Sequence, residues 1–444
     1  MSGPAPADEA VDVRRAAAGT LLSSFPGASV PSWVWRQVDA GLGGVCLYGS
    51  NHGADVGTVA AALHETRPDV VVALDEEGGD VTRLEAATGS SVPGNAALGA
   101  VDDVDLTRSV AAALGGVLRA VGIDLDLAPC ADVNSDPGNP VIGVRSFSAD
   151  TEVAARHTAA FVAGLQAAGV AACAKHFPGH GAVAVDSHLD LPTVGTPLDL
   201  LRGRELAPFR WAIAAGFAAV MPGHLLVPAL DATTPATVSR RIVTDLLRGE
   251  LGFAGVVVTD ALDMGAIGGH VGIPANVARA LAAGADLCCL GPDNGEDLVE
   301  ACVDAVVAAV GAGELAPERV AEAAARVASL RSELASLSTI TCAEGRQMPD
   351  DDGSGDGVTV PATALRSVGA DAAARALRVT GTAPGSLHGA HVVELDRPAN
   401  IAAGVVPWGV AAALAEIDPN TTAGRVTDGD DGAVAAALLT ARDR

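Results

Sequence analysis

Eight short apolar runs, each followed by a helix-like segment rich in alanine, constrain the fold of this chain more than any other feature. The runs are mostly continuous rather than alternating, which is typical of parallel strands buried on both faces. They lie at residues 19–24, 44–48, 70–74, 123–128, 171–175, 218–221, 255–259 and 287–290. Eight such strand–helix units predict a TIM (β/α)₈ barrel. A doubly wound sheet is the alternative, but no Gly-x-Gly-x-x-Gly motif follows any of the runs.

The composition of the 444-residue chain changes after the eighth unit. A long helix-like segment at 316–337 completes the predicted barrel domain, residues 1–340. Residues 341–358 include the run DDDGSGDG and are predicted to be an acidic, glycine-rich linker. Residues 359–444 contain a few short apolar runs and are predicted to form a small, incomplete C-terminal α/β segment.

The charge and the cysteine pattern limit the partners of the chain. A formal net charge of −26 argues against binding to nucleic acid or to an anionic membrane surface. The acidic first ten residues carry no apolar signal region, and no apolar stretch is long enough to cross a bilayer. The seven cysteines form no Cys-x-x-Cys pair, which favours buried free thiols over disulfides or a metal site. We therefore expect a cytoplasmic protein, and nothing in the sequence indicates an oligomeric state.

Polar segments follow five of the predicted strands, at the end of a TIM barrel where catalytic groups lie. They are residues 75–79, 134–148, 175–188, 222–224 and 260–264. Lys175 is the only lysine among 28 basic residues, and it ends an apolar strand. Its compact ammonium group on a flexible stem can reach sugar hydroxyls, so we expect it at a binding site.

Three histidines, His176, His180 and His188, fall within one segment together with Asp186. A metal site is disfavoured here, because the spacing is irregular, no HExxH motif occurs and Lys175 would repel a cation. In an extended segment, residues i and i+2 point to the same side, so Asp186 can orient His188 and stabilise its protonated form. An imidazole with a pKa of about 6.5 then serves as proton donor and acceptor near neutral pH.

Asp260 ends the apolar run GVVVTD and is the predicted nucleophile. A carboxylate that attacks a glycosidic carbon forms a covalent intermediate, which water opens with overall retention. Asp263 is the second candidate in the same loop.

These segments resemble bacterial β-N-acetylglucosaminidases of glycoside hydrolase family 3, the cell-wall-recycling type. The resemblance rests on KHFPGHG…DSH at 175–188 with the following Leu191 and Pro192, on NPVIGVRSFS at 139–148, and on VVVTDALDMGAI at 256–267. It implies a retaining exo-enzyme that removes terminal β-linked GlcNAc and needs no metal or other cofactor. The expected substrates are GlcNAc-MurNAc or GlcNAc-anhydroMurNAc fragments of peptidoglycan, although no residue in the sequence indicates which aglycone is recognised.

The resemblance also implies a role for each matching residue. Asp260 is the nucleophile, and His188, assisted by Asp186, is the acid/base, carried by a mobile loop at 179–188. The sugar in the −1 subsite is held by Asp75, Arg83, Arg145, Lys175 and His176, with Met221 and His224 near the same pocket.

The sequence departs from the family in two places. Asp80 stands where the family usually has arginine, and Arg83 keeps the other basic position. The tail is shorter than the complete α/β sandwich of two-domain relatives, so a truncated second domain is expected.

Two other functions remain open on the sequence alone. A neutral histidine does not repel phosphate, so the same residues would also suit a phosphorylase that releases GlcNAc-1-phosphate. A catalytically silent GlcNAc-binding protein is the alternative from another class, although Asp260, Asp186 and His188 are all present. A β-glucosidase or β-xylosidase is disfavoured, because those relatives lack the His–Asp pair.

Overall fold

The predicted barrel is confirmed in the structure, a computed structural model that describes residues 13–51, 55–183, 187, 190–267, 272–343, 359–378, 388–396, 402–404, 406 and 409–427. Eight parallel strands form one sheet in the order β7-β6-β5-β4-β3-β2-β1-β8, and a parallel bridge between Val258 and Leu287 joins its two edges. The strands are β1 Leu21–Ser23, β2 Gly44–Leu47, β3 Val71–Leu74, β4 Leu125–Asp126, β5 Ala171–Phe177, β6 Ala219–Pro222, β7 Val256–Val257 and β8 Cys288–Cys289.

Helices separate successive strands and surround the barrel. They are α1 Ser32–Ala40, α2 Val56–Thr66, α3 Asn95–Val101, α4 Val104–Ala120, α5 Thr151–Ala167, α6 Leu198–Gly203, α7 Leu206–Ala214, a π-helical segment Arg241–Glu250, α8 Ile273–Ala283, α9 Glu296–Gly311 and α10 Pro317–Ala343. The long helix expected at 316–337 is thus present as α10, which extends three residues into the range predicted as linker. Residues 344–358, the rest of that range, lie outside the described residues.

Every barrel strand is completely buried, as the continuous apolar runs predict. Alternate strand residues point to opposite faces. One set, with Leu22, Cys46 and Val71 among its members, forms a cluster inside the barrel. The other set, for example Leu21, packs against the surrounding helices. The cysteines whose side chains are described are all buried free thiols, as expected.

An acidic residue at the amino-terminal end of β8 holds several surrounding elements together. The side chain of Asp286 is fully buried and accepts hydrogen bonds from Arg248 and Arg319 and, at 3.1 Å, from Arg326. It also accepts the backbone N–H of Val257 at 2.9 Å. One buried carboxylate therefore binds three guanidinium groups at the barrel end where a TIM barrel keeps its stabilising contacts.

Replacing Asp286 by alanine is expected to lower the free energy of unfolding by about 3–5 kcal/mol, because three guanidinium groups lose their shared buried partner. Denaturant-induced unfolding measures this loss. The matched control is Asp245→Ala, which removes an exposed carboxylate 4.0 Å from Arg240 and is expected to change nothing measurable. Equal stability of the two variants would contradict the assigned role of Asp286.

The C-terminal part of the chain begins with helix α11, Thr359–Ala376, which packs on the barrel through its buried Leu365 and Ala372. A strand β9, His391–Asp396, then pairs in parallel with β10, Thr422–Thr427, and helix α12, Val410–Ile417, connects them. This pair is the small α/β segment predicted from the sequence. No helix of the described residues is long and apolar enough to span a membrane.

Candidate active site

One cavity opens at the carboxyl ends of the barrel strands, where the polar segments of the sequence were expected to meet. Seven predicted site residues line it: Asp75, Arg83, Arg145, Lys175, His176, Met221 and Asp260. Lys175 and His176 lie on β5 and Met221 lies on β6, whereas the other four lie in the loops that follow β3, β4 and β7. The structure thus brings together side chains that are up to 185 positions apart in the sequence.

A buried chain of opposite charges forms one side of the cavity. The ammonium group of Lys175 lies 2.7 Å from the carboxylate of Asp75 and 2.7 Å from that of Glu77. Glu77 also accepts two hydrogen bonds from the guanidinium of Arg145, at 2.7 and 2.9 Å. Burial opposes each charge, but Arg145 and Lys175 together hold the pKa of Glu77 below its usual range. Likewise, Asp75 and Glu77 outweigh the burial of Lys175 and raise its pKa, so the lysine stays a hydrogen-bond donor.

A second buried carboxylate fixes the histidine segment. Asp132 accepts from the Nδ1 of His176 at 2.7 Å and from the backbone N–H of His180 at 2.6 Å. Burial opposes the charge of Asp132, but the two histidines lower its pKa to about 2. Burial lowers the pKa of His180 to about 4, and its Nε2 lies 3.0 Å from the hydroxyl of Ser187. His176 is therefore oriented by Asp132, and His180 is a neutral structural contact near neutral pH.

Two glycines permit close backbone contacts between the segments that form this side of the cavity. A Cβ on Gly181 would lie 1.8 Å from the carbonyl oxygen of Val133. Gly79 has φ +59°, and a Cβ there would lie 2.8 Å from Gly94. Larger residues at either position would move the loops that carry the histidines and the acidic segment.

The opposite side of the cavity is formed by the loop after β7. The carboxylate of Asp260 is partly exposed, and its Oδ1 accepts the backbone N–H of Ala261 at 2.9 Å. Asp263 also lines the cavity, and its side chain is exposed. His224 is fully buried behind this loop, where Nε2 lies 2.9 Å from the carbonyl oxygen of Ala261 and Nδ1 lies 2.8 Å from Thr237. His224 thus supports the loop from behind and, unlike Met221, does not line the cavity.

The predicted acid/base pair, Asp186 and His188, lies outside the described residues. Ser187, the residue between them in sequence, is described and lines the cavity. Its carbonyl oxygen accepts the backbone N–H of Ala266 at 3.3 Å.

One group of described side chains has the composition of a metal site. Ligand atoms of Cys130, Asp132 and His176 lie within 4.8 Å of one another, and all three residues are buried. The contacts that these atoms make are with one another: the thiol of Cys130 donates to Asp132 at 3.3 Å, and Asp132 accepts from His176. The group already acts as the hydrogen-bonded support of His176.

A family comparison decides the relationship that this geometry suggests. The model of the glycosyl hydrolase family 3 N-terminal domain matches residues 39–330, which is most of the barrel. The chain belongs to glycosyl hydrolase family 3.

Known family 3 proteins extend this result. A β-hexosaminidase of Stenotrophomonas maltophilia (strain R551-3) is 40% identical over 262 residues, which cover 57% of this chain and 77% of that protein. A family 3 β-N-acetylglucosaminidase structure from Paenibacillus sp. str. FPU-7 matches with a TM-score of 0.84 at 32% identity, covering 97% of this chain and 82% of that one. The Neisseria gonorrhoeae NagZ complex with N-trifluoroacetyl-D-glucosamine matches with a TM-score of 0.59 at 30% identity, covering 72% of this chain and 98% of that one. The predicted family and its likeness to β-N-acetylhexosaminidases are confirmed.

Glu77, Tyr48 and Ala402 are among the cavity residues of this family 3 chain that were not predicted as site residues from the sequence. Glu77 binds both Lys175 and Arg145, Tyr48 donates to or accepts from Cys289 at 3.0 Å, and Ala402 comes from the C-terminal segment. Asp132, which does not line the cavity, was also missed as the partner of His176. Asp80, the departure from the family pattern, is exposed and does not line the cavity.

Proposed function

We propose that this chain is a retaining exo-β-N-acetylglucosaminidase that removes terminal β-linked GlcNAc through a covalent glycosyl–Asp260 intermediate. The observation that carries this proposal is the placement of Asp260 in one cavity with the buried Asp75–Lys175–Glu77–Arg145 chain of charges. The relatives named above support the coarser statement, β-N-acetylhexosaminidase activity.

The charged wall suits the hydroxyl groups of a single sugar. Asp75 accepts hydrogen bonds, whereas Lys175 and Arg83 donate them, so neighbouring hydroxyls can each bind an oriented partner. Because the wall residues already bind one another, little reorganisation is needed when the sugar enters. His176 is held at Nδ1 by Asp132 and lines the cavity, so its ring is already oriented when the sugar enters.

The reaction then proceeds in two steps. The carboxylate of Asp260 attacks C1, the bond from C1 to the leaving oxygen breaks, and a proton passes from His188 to that oxygen. In the second step His188 takes a proton from water while the water oxygen attacks C1, and the bonding electrons return to Asp260. Two inversions at C1 give a sugar of retained β configuration. No step requires a metal or an organic cofactor.

The assignment of His188, oriented by Asp186, predicts a dependence on the leaving group. His188→Ala should reduce kcat by on the order of 10² to 10⁴-fold for GlcNAc linked to another sugar, whose leaving oxygen needs a proton. It should affect p-nitrophenyl β-GlcNAc far less in the first step, because p-nitrophenolate leaves without one. Kinetics on the two substrates check this, with His64→Gln as a control that leaves their ratio unchanged, because His64 bonds Asp124 and does not line the cavity. Equal losses on both substrates would count against His188 as the acid.

The natural substrates that we propose are peptidoglycan fragments, GlcNAc-MurNAc or GlcNAc-anhydroMurNAc, which a cytoplasmic enzyme would meet during cell-wall recycling. Turnover of chitobiose with muropeptide fragments left intact would contradict this part of the proposal.

Product analysis with p-nitrophenyl β-GlcNAc, in phosphate buffer and without phosphate, tests the proposed reaction. Free GlcNAc at similar rates in both buffers is the expected result. GlcNAc-1-phosphate at a phosphate-dependent rate would instead identify a phosphorylase. Binding of GlcNAc without any product would identify a sugar-binding protein.

A further inference from the structure

We infer that Ala402 of the C-terminal segment forms the end wall of the sugar cavity and determines its specificity for a terminal, unextended sugar. This inference rests on the proposed function. The wall lies on the side of the cavity opposite the nucleophile, where it would exclude a substituent on the 4-hydroxyl.

The direct evidence is one hydrogen bond and one shared surface. The Nη2 of Arg83 donates to the carbonyl oxygen of Ala402 at 2.9 Å, across 319 positions of sequence. Ala402 lines the same cavity as Asp75, Arg83 and Asp260, and it is partly buried. The same guanidinium group lies 3.6 Å from Asp75. The C-terminal segment is therefore part of the cavity wall and orients a residue that faces the sugar.

The order of the strands places this wall relative to the reacting carbon. Asp260 follows β7, whereas Asp75 and Arg83 follow β3, and the two strands are four places apart in a closed barrel of eight. They therefore lie on opposite sides of the barrel. A sugar whose C1 is at Asp260 directs C4, the ring carbon farthest from C1, towards β3. A wall at Ala402 then leaves no room for a second sugar on the 4-hydroxyl.

Helix α11 anchors this part of the chain on the barrel. A Cβ on Gly369 would lie 1.9 Å from the carbonyl oxygen of Ser91, so the helix approaches the loop after β3 very closely. Arg375 forms an ion pair with Asp103 at 2.6 Å, and Arg378 donates to the carbonyl oxygen of Ala100 at 2.9 Å. These contacts hold the start of the C-terminal segment against the barrel near β3.

The first test is substitution of Ala402 in the full-length protein. Ala402→Trp should raise both KM for p-nitrophenyl β-GlcNAc and the Kd of free GlcNAc by about ten-fold or more, because a large side chain would fill the end of the cavity. The matched control is Ala403→Trp, since Ala403 is not among the cavity residues. It should leave both constants within about two-fold. Thermal unfolding of both variants confirms that they fold. Equal effects of the two substitutions, or no effect of either, would overturn the inference.

The second test weakens the packing of α11 on the barrel rather than changing Ala402 itself. Gly369→Val should displace α11, whereas Gly311→Ala is the control, because nothing lies within 4 Å of a Cβ on Gly311. With p-nitrophenyl β-chitobioside, the wild-type protein should release only GlcNAc at first, and Gly369→Val should also release chitobiose. Release of GlcNAc alone by a folded Gly369→Val variant, with KM unchanged, would overturn the inference.

A separate readout distinguishes this inference from the proposed function. If the wild-type protein neither cleaves the glycoside nor binds GlcNAc, the proposed function is wrong. Hydrogen exchange of residues 81–84 then tests the wall directly. Faster exchange in Gly369→Val than in Gly311→Ala supports the contact with the C-terminal segment, and equal exchange overturns it.

Discussion

Asp260→Ala is expected to lower kcat on p-nitrophenyl β-GlcNAc by on the order of 10⁴-fold or more, since removal of a nucleophile leaves only binding and electrostatic contributions to catalysis. The Kd of free GlcNAc should change little, because the Asp75–Lys175–Glu77–Arg145 chain lies on the other side of the cavity. Steady-state kinetics and calorimetry measure the two quantities.

Asp263→Ala is the matched control for the nucleophile. Asp263 lines the same cavity, three residues further along the same loop, but its side chain is exposed. We expect a loss of activity far smaller than that of Asp260→Ala. A larger loss in Asp263→Ala would exchange the roles of the two carboxylates.

Glu77→Ala is expected to have the largest effect outside the nucleophile, because it removes one carboxylate from two buried cations. Arg145 keeps the carbonyl oxygen of Val141, and Lys175 keeps Asp75, but neither substitutes for the bond to Glu77. The free energy of unfolding should fall by about 3–5 kcal/mol, the usual result of leaving buried charges uncompensated. GlcNAc binding should weaken as well, because Lys175 is no longer held from two sides.

Denaturant unfolding and calorimetry of Glu77→Ala measure both effects. Glu296→Ala is the control, because its carboxylate pairs with Arg36 on the surface, and it should change neither quantity measurably. Unchanged stability and unchanged sugar binding in Glu77→Ala would show that the buried chain of charges does not organise the site.

The barrel could be predicted because its signal is local. Each strand is a continuous apolar run, and the observed strands lie at all eight predicted places, although β4, β7 and β8 are only two residues long. The position of the polar segments followed from the same strand assignment, since polar residues after parallel strands meet at one end of the barrel.

The hydrogen-bond partners of the cavity residues were harder to predict from the sequence. Glu77 was within reach of the sequence, because residues i and i+2 of an extended segment share a side and Asp75 was already assigned to the site. Glu76 points elsewhere, and burial raises its pKa to about 7. By contrast, the contacts of Asp132 with His176 and of Ala402 with Arg83 join segments that are 44 and 319 positions apart. No periodicity or motif encodes such contacts.

His224 also shows that the contacts of a residue cannot be predicted from the sequence alone. The sequence placed it near the pocket, and it lies near it, but both ring nitrogens bind neighbouring protein atoms. Whether a histidine faces a sugar or supports a loop depends on the packing behind the strand end, which only the structure reveals.

Mass spectrometry of a trapped intermediate tests the central claim most directly. The protein would be incubated with a fluorinated GlcNAc donor that has a good leaving group, so that the covalent intermediate accumulates, and then digested. We predict that the peptide containing Asp260 gains the mass of one sugar, with the modification on the carboxylate of Asp260. Turnover of the donor without a modified peptide, or a modification on Asp263, would contradict the account.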